Sequence, residues 1–118
     1  MSNTHSPKLV FGAANFGFAS YGMSNMISDT NVLQEYLDFL KKNGIDQIDT
    51  ARRYGNGTSE EMLGLVNTAN QGFILDSKVQ STTIGSHSRD KMRESVHKSL
   101  EMLKVKKVRL FYDLNLIL

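Results

Sequence analysis

Cysteine does not occur in the 118-residue chain, and neither does tryptophan. Without thiols there is no disulfide framework and no thiolate chemistry, and the absence accords with a reducing compartment. Charge of one sign is also missing. The formal net charge is only +2, with the basic residues concentrated after Lys78, so neither nucleic acid nor an acidic membrane is an expected partner. The first residues, Met1-Ser2-Asn3-Thr4-His5-Ser6-Pro7, are polar and lack a basic segment followed by an apolar one. They are expected to form a loose tail, with no signal peptide and no membrane span, which makes the cytoplasm the expected location. His5, His87 and His97 do not have metal-ligand spacing, so no metal site is expected. Asn56-Gly57-Thr58 matches a glycosylation sequon, which in a cytosolic chain is chance.

What is present alternates between short β-prone runs and amphipathic helical stretches. Leu9-Val10-Phe11 reads as a strand entering the small-residue stretch Gly12-Ala13-Ala14-Asn15-Phe16-Gly17. That stretch is neither a P-loop nor a dinucleotide fingerprint, and it serves either as a close approach for a ligand or as a plain turn. Asp29 or Thr30 caps a helix with Leu33, Tyr36, Leu37 and Leu40 on one face, ending at Asn43-Gly44. Residues 45 to 50 form a second strand. Ser59 begins a shorter helix carrying Met62, Leu63 and Val66, closed by Asn70-Gln71-Gly72. Phe73 to Val79 is a third strand. After a polar loop from Gln80 to His87, Ser88 caps a third helix whose inward stripe is Met92, Val96, Ser99, Leu100 and Leu103, with Arg89, Arg93, Lys98 and Lys104 in water. Val108 to Tyr112 is the fourth strand. Right-handed crossovers then give a parallel sheet with helices along it.

Chemistry concentrates at strand ends. Gln47-Ile48-Asp49-Thr50-Ala51-Arg52-Arg53-Tyr54-Gly55 delivers a carboxylate at the end of the second strand and a phenol five residues later. Lys78 ends the third strand, and parallel neighbours bring their carboxyl ends side by side, so Asp49, Tyr54 and Lys78 are expected to meet on one rim. A phenol needs a nearby cation or a buried partner to exchange a proton near neutrality, and Lys78 is the candidate.

These residues carry a resemblance. Asp49-Thr50-Ala51, Tyr54-Gly55, Ser59-Glu60 and Leu63-Gly64, followed by Lys78, look like the signature of the aldo-keto reductases, specifically the aflatoxin-aldehyde-reductase-like branch of fungal secondary metabolism. The likeness runs from about Lys8 to about Tyr112. It implies the N-terminal part of a (β/α)8 barrel, about four parallel strands and three helices over residues 8 to 118, since a whole barrel takes about 250 residues. It also implies NADPH as cofactor and an aldehyde or ketone as substrate, with Tyr54 as proton donor and Lys78 lowering the phenol's pKa. Asp49 would pair with Lys78 and hold the cofactor, with Gly12 and Ala13 facing the nicotinamide. The family's strand-four histidine falls on about Leu114 here, and the apolar end, Leu114 to Leu118, reads as a truncation or a shifted reading frame. The expectation is a chain inactive by itself. The alternatives are an active dimer of half-barrels and a noncatalytic module that associates through its open sheet edges.

Overall fold

The computed structural model describes residues 7–18, 26–79 and 88–113. Four strands, β1 (Val10–Gly12), β2 (Gln47–Asp49), β3 (Ile74–Val79) and β4 (Leu110–Asp113), form one parallel sheet in the order β1-β2-β3-β4. Helices α1 (Thr30–Lys42), α2 (Thr58–Leu65) and α3 (Arg89–Leu103) connect them. This is the expected α/β run of four parallel strands and three helices, with each strand shorter than or shifted from its apolar run. The loose tail, the loop from Gln80 to His87 and the position of Leu114 lie outside the described residues.

Helix α1 starts where the Asp29 carboxylate accepts a 2.8 Å hydrogen bond from the Asn31 amide and stops at Asn43, followed by Gly44 at positive φ. Leu33, Leu37 and Leu40 are buried against the sheet, but Tyr36 is 42% exposed. Tyr36 sits at the margin of the apolar stripe, and its ring meets the edge of Phe16 at 5.3 Å. The core joins these leucines to Ala13, Phe16, Ile48, Met62, Leu63, Phe73, Leu75 and Leu103.

Helix α2 begins one residue before the expected Ser59. Its cap is Gly57, at φ +90°, and Ser59 is fully buried inside the first turn. The helix ends at Leu65, and a separate 3-10 turn, Thr68–Gln71, leads to β3.

On α3, Ser88 caps as expected, its hydroxyl accepting from the Lys91 amide at 3.3 Å. Arg89, Arg93, Lys98 and Lys104 are exposed. The fully buried positions are Ser95, Ser99 and Leu103, whereas Met92, Val96 and Leu100 are only half-buried. The shift toward serines has a steric cause. Helix α3 crosses so close to α2 that a Cβ added at Gly64 would collide with the Met102 carbonyl, and only small side chains fit along such a seam.

Period-two alternation splits the strands between two faces. Phe11, Ile48, Leu75 and Ser77 look toward the helices, where the first three join the core and Ser77 reaches α2. Gln47, Asp49, Ile74, Asp76, Lys78 and Leu110 lie at the alternate positions on the other face. There Arg109 grips Asp76 with two nitrogens, Nε at 3.0 Å from Oδ1 and Nη2 on Oδ2, so this buried carboxylate is already committed.

Candidate functional site

The carboxyl ends of β1 and β2 are in register, Gly12 beside Asp49, and Asp49 pairs with Asp76 in the middle of β3, which runs on past them to Lys78 and Val79. The backbone ladder continues past the strands, with Ala13 N–H donating to the Asp49 carbonyl (2.9 Å), Thr50 N–H to Asp76 (2.9 Å) and Arg52 N–H to Lys78 (3.1 Å). This stitching fixes the loops that follow β1 and β2, and with them the groups on the rim.

Lys78 is at the centre of the rim. Its ammonium donates to Asp49 Oδ2 at 2.6 Å and to the Thr50 carbonyl at 3.0 Å, and it lies 4.9 Å from the centre of the Tyr54 ring. The side chain is only 12% exposed, and burial alone would lower its pKa. Hydrogen bonds and charge from Asp49 and Tyr54 outweigh burial, and the ammonium is held above its ordinary range. Asp49, Tyr54 and Lys78 are thus brought together. Lys78 stands between a carboxylate and a phenol, and it stays protonated at neutral pH.

Gly12 and Ala13 part company. Gly12 is exposed, with open space where a side chain would stand. Ala13 is completely buried in the core, its N–H spent on Asp49 and its carbonyl accepting from the Ser59 hydroxyl at 3.0 Å. Of the two residues expected to face a ligand, Gly12 leaves an open surface, and strand alternation turns Ala13 into the core. An open glycine shelf in register with a 30%-exposed carboxylate fits the nicotinamide end of a dinucleotide, which presents a flat ring and ribose hydroxyls.

Tyr54 opens a one-turn 3-10 segment, Tyr54–Gly57, in which Gly55, Asn56 and Gly57 all have positive φ (58°, 53° and 90°). Several buried groups hold this turn. Thr58 Oγ1 donates to the Gly55 carbonyl (2.5 Å) and accepts from Phe18 N–H (2.7 Å). Arg52 donates through Nη2 to the Gly57 carbonyl, and its Nη1 pairs with Glu60 Oε1 at 2.8 Å. Glu60, fully buried, accepts from the Ser77 hydroxyl at 2.6 Å through its other oxygen. Thr50 and Ser59 share a further hydroxyl contact at 3.1 Å.

Glu60 stands in the family-like Ser59-Glu60 motif, but the sequence assigned no role to Arg52, Glu60 or Ser77. An acid in the first turn of a helix reads as a partner of the helix dipole, and only the fold brings it against Arg52. Elsewhere, a cleft of about 540 Å³ among Ala69, Phe73, Ile74, Val105, Val108 and Arg109 lies at the entry ends of β3 and β4, away from Lys78. Among the described residues no cluster of acidic or histidine side chains could hold a metal ion, and no helix is long and apolar enough to cross a membrane.

Residues 8–113 match the model of the aldo/keto reductase family. The chain belongs to that family. Over 108 residues it is 36% identical to the oxidoreductase sirO of Leptosphaeria maculans, covering 90% of this chain and 32% of sirO. The chain therefore spans about a third of that relative's length. Among solved structures, PA4992 of Pseudomonas aeruginosa, described as an aldo-keto reductase, superposes with a TM-score of 0.71 at 29% identity, over 86% of this chain and 40% of that one. A Bombyx mori aldo-keto reductase in complex with NADP shares the fold at 19% identity, with a TM-score of 0.60 over 90% of this chain and 33% of its own. The four strands and three helices match a portion of the aldo-keto reductase barrel.

Proposed function

We propose that Asp49, Tyr54 and Lys78 are the proton-delivering part of an NADPH-dependent reductase acting on an aldehyde or ketone, of the kind found in fungal secondary metabolism. The observation that carries this reading is the Lys78 ammonium, bonded to Asp49 at 2.6 Å with the Tyr54 ring 4.9 Å away. The chemistry that bound NADPH supplies is a hydride for the carbonyl carbon. Tyr54 O–H gives its proton to the carbonyl oxygen, so that C=O becomes CH–OH and the phenol becomes a phenolate. The Lys78 cation stabilises that phenolate, and Asp49 keeps Lys78 charged and aimed. Asp49 and the Gly12 shelf hold the nicotinamide and its ribose.

These residues contribute only one part of a cofactor cradle. In the family that this chain resembles, the adenosine phosphate and pyrophosphate are held mainly by loops after the last two strands, and this chain spans about a third of sirO. For the 118-residue polypeptide by itself we expect no saturable NADPH binding in a fluorescence titration and no turnover of an aromatic aldehyde. Micromolar binding with turnover would overturn that expectation and favour an active assembly of two copies.

The roles are testable where a whole barrel exists. Residues 8–113 grafted in place of the matching part of sirO should give a reductase in which Tyr54→Phe lowers kcat by about 10²–10⁴-fold, the usual worth of general acid catalysis. An unchanged kcat in that variant removes Tyr54 as proton donor.

A further inference from the structure

We infer that Arg52 and Glu60 are a positioning pair that sets the turn bearing Tyr54 against the strand bearing Lys78, an inference that rests on the proton-donor reading of Tyr54. Arg52 holds the Gly57 carbonyl of the turn and Glu60 holds Ser77 beside Lys78, so their effect passes through the backbone they hold.

The turn needs such a device. Three consecutive residues, Gly55, Asn56 and Gly57, occupy the left-handed region, where asparagine is less free than glycine, and the bonds within the turn are short-range ones such as Asn56 N–H to the Arg53 carbonyl at 3.0 Å. A conformation of this kind persists only where its surroundings over-determine it. Arg52 does so from both ends. Its backbone N–H is bound to the Lys78 carbonyl at 3.1 Å, while its guanidinium donates to the Gly57 carbonyl at the far end of the turn. The same guanidinium pairs with Glu60, and Glu60 accepts from Ser77, the residue before Lys78. The turn is thereby spanned by one residue that is tied to β3 directly through its backbone and indirectly through Glu60 of α2.

The energetics favour a geometric role over a stabilising one. Burying two charges costs about as much as their attraction returns, and a well-packed apolar pair of similar volume often serves stability as well or better. What an apolar pair cannot do is place one nitrogen on the Gly57 carbonyl and another against the Glu60 carboxylate. A planar guanidinium spreads its charge over two such nitrogens, and a lysine ammonium, a single point charge on a flexible stem, cannot stand at both places from this position.

Isotope-labelled NMR on the 118-residue chain tests this with two readouts. The amide resonances of Gly55, Asn56 and Gly57 report the turn, and the nuclear Overhauser contact between the Tyr54 ring and the Lys78 side chain reports the approach of phenol to ammonium. The double variant Arg52→Met with Glu60→Met should melt as cooperatively as the native chain, yet shift or broaden the three amides and lose the Overhauser contact. Arg52→Lys should keep cooperative melting and still lose the contact. The inference is overturned by unmoved turn amides in the double variant, or by Arg52→Lys reproducing the native pattern. Loss of cooperative melting in the double variant overturns it too, since the pair would then support the whole fold. A contact missing already in the unaltered chain sinks the proton-donor reading instead, and the turn amides still decide the fate of the pair.

Discussion

Burial alone would drive Lys78 to lose its proton more readily, but Asp49 and Tyr54 reverse that tendency and hold its pKa above the ordinary 10.5. A lysine whose pKa is higher in the folded than in the unfolded chain contributes stability that is complete below about 10.5 and disappears as pH rises through the folded value. The native chain should therefore lose melting temperature above pH 10.5 more steeply than Lys78→Met, and Asp49→Asn should flatten the same part of the curve. Parallel curves for native and Lys78→Met would show that the ammonium gains nothing from its neighbours. At this scale the sequence was already informative: residue type, order and spacing named Asp49, Tyr54 and Lys78. It did not reveal that Arg52, Glu60 and Ser77 join one another, because their contacts cross a left-handed turn and a strand, where no local period connects them.

Helices α1 and α3 were legible from their caps and apolar spacing, since Asp29 and Ser88 satisfy the first free amides whatever the rest of the fold does. Ser99 and Leu103 were read on the inward stripe of α3, but Ser95 was not, because a serine reads as polar and only the approach of α2 to α3 buries it. Gly64→Ala should force these helices apart and cost about 1–3 kcal/mol, the usual penalty of overpacking, read as a lower urea midpoint. Ser99 offers the opposite test, because its hydroxyl is buried with no hydrogen-bond partner among the described residues. Ser99→Ala removes an unsatisfied group and should leave the midpoint unchanged or raise it. A large loss in Ser99→Ala would mean that the hydroxyl is bonded in solution.

At the scale of the whole molecule, the helices among the described residues cover one face of the sheet. Val10, Ile74 and Leu110 are exposed, and β1 and β4 are the sheet edges. Unpaired edges beside apolar side chains invite strand pairing with another chain. Light scattering of the 118-residue chain should show mass rising with protein concentration, and Val10→Lys with Leu110→Lys should suppress the rise. A concentration-independent monomer mass in the native chain would show that these edges are protected.

Order along the chain determined which chemical groups this protein carries and which strand ends deliver them, because strand alternation, helix caps and turn residues act over a few positions. It also placed the chain near a family whose barrel this sheet matches in part. Tertiary structure decided what those groups touch: that Lys78 is shared by Asp49 and Tyr54, that Gly12 stays open while Ala13 sinks into the core, and that Arg52 spans the turn behind Tyr54. These contacts join residues separated by loops and by other strands. Their distances follow from how sheet and helices pack, which no local rule of sequence contains.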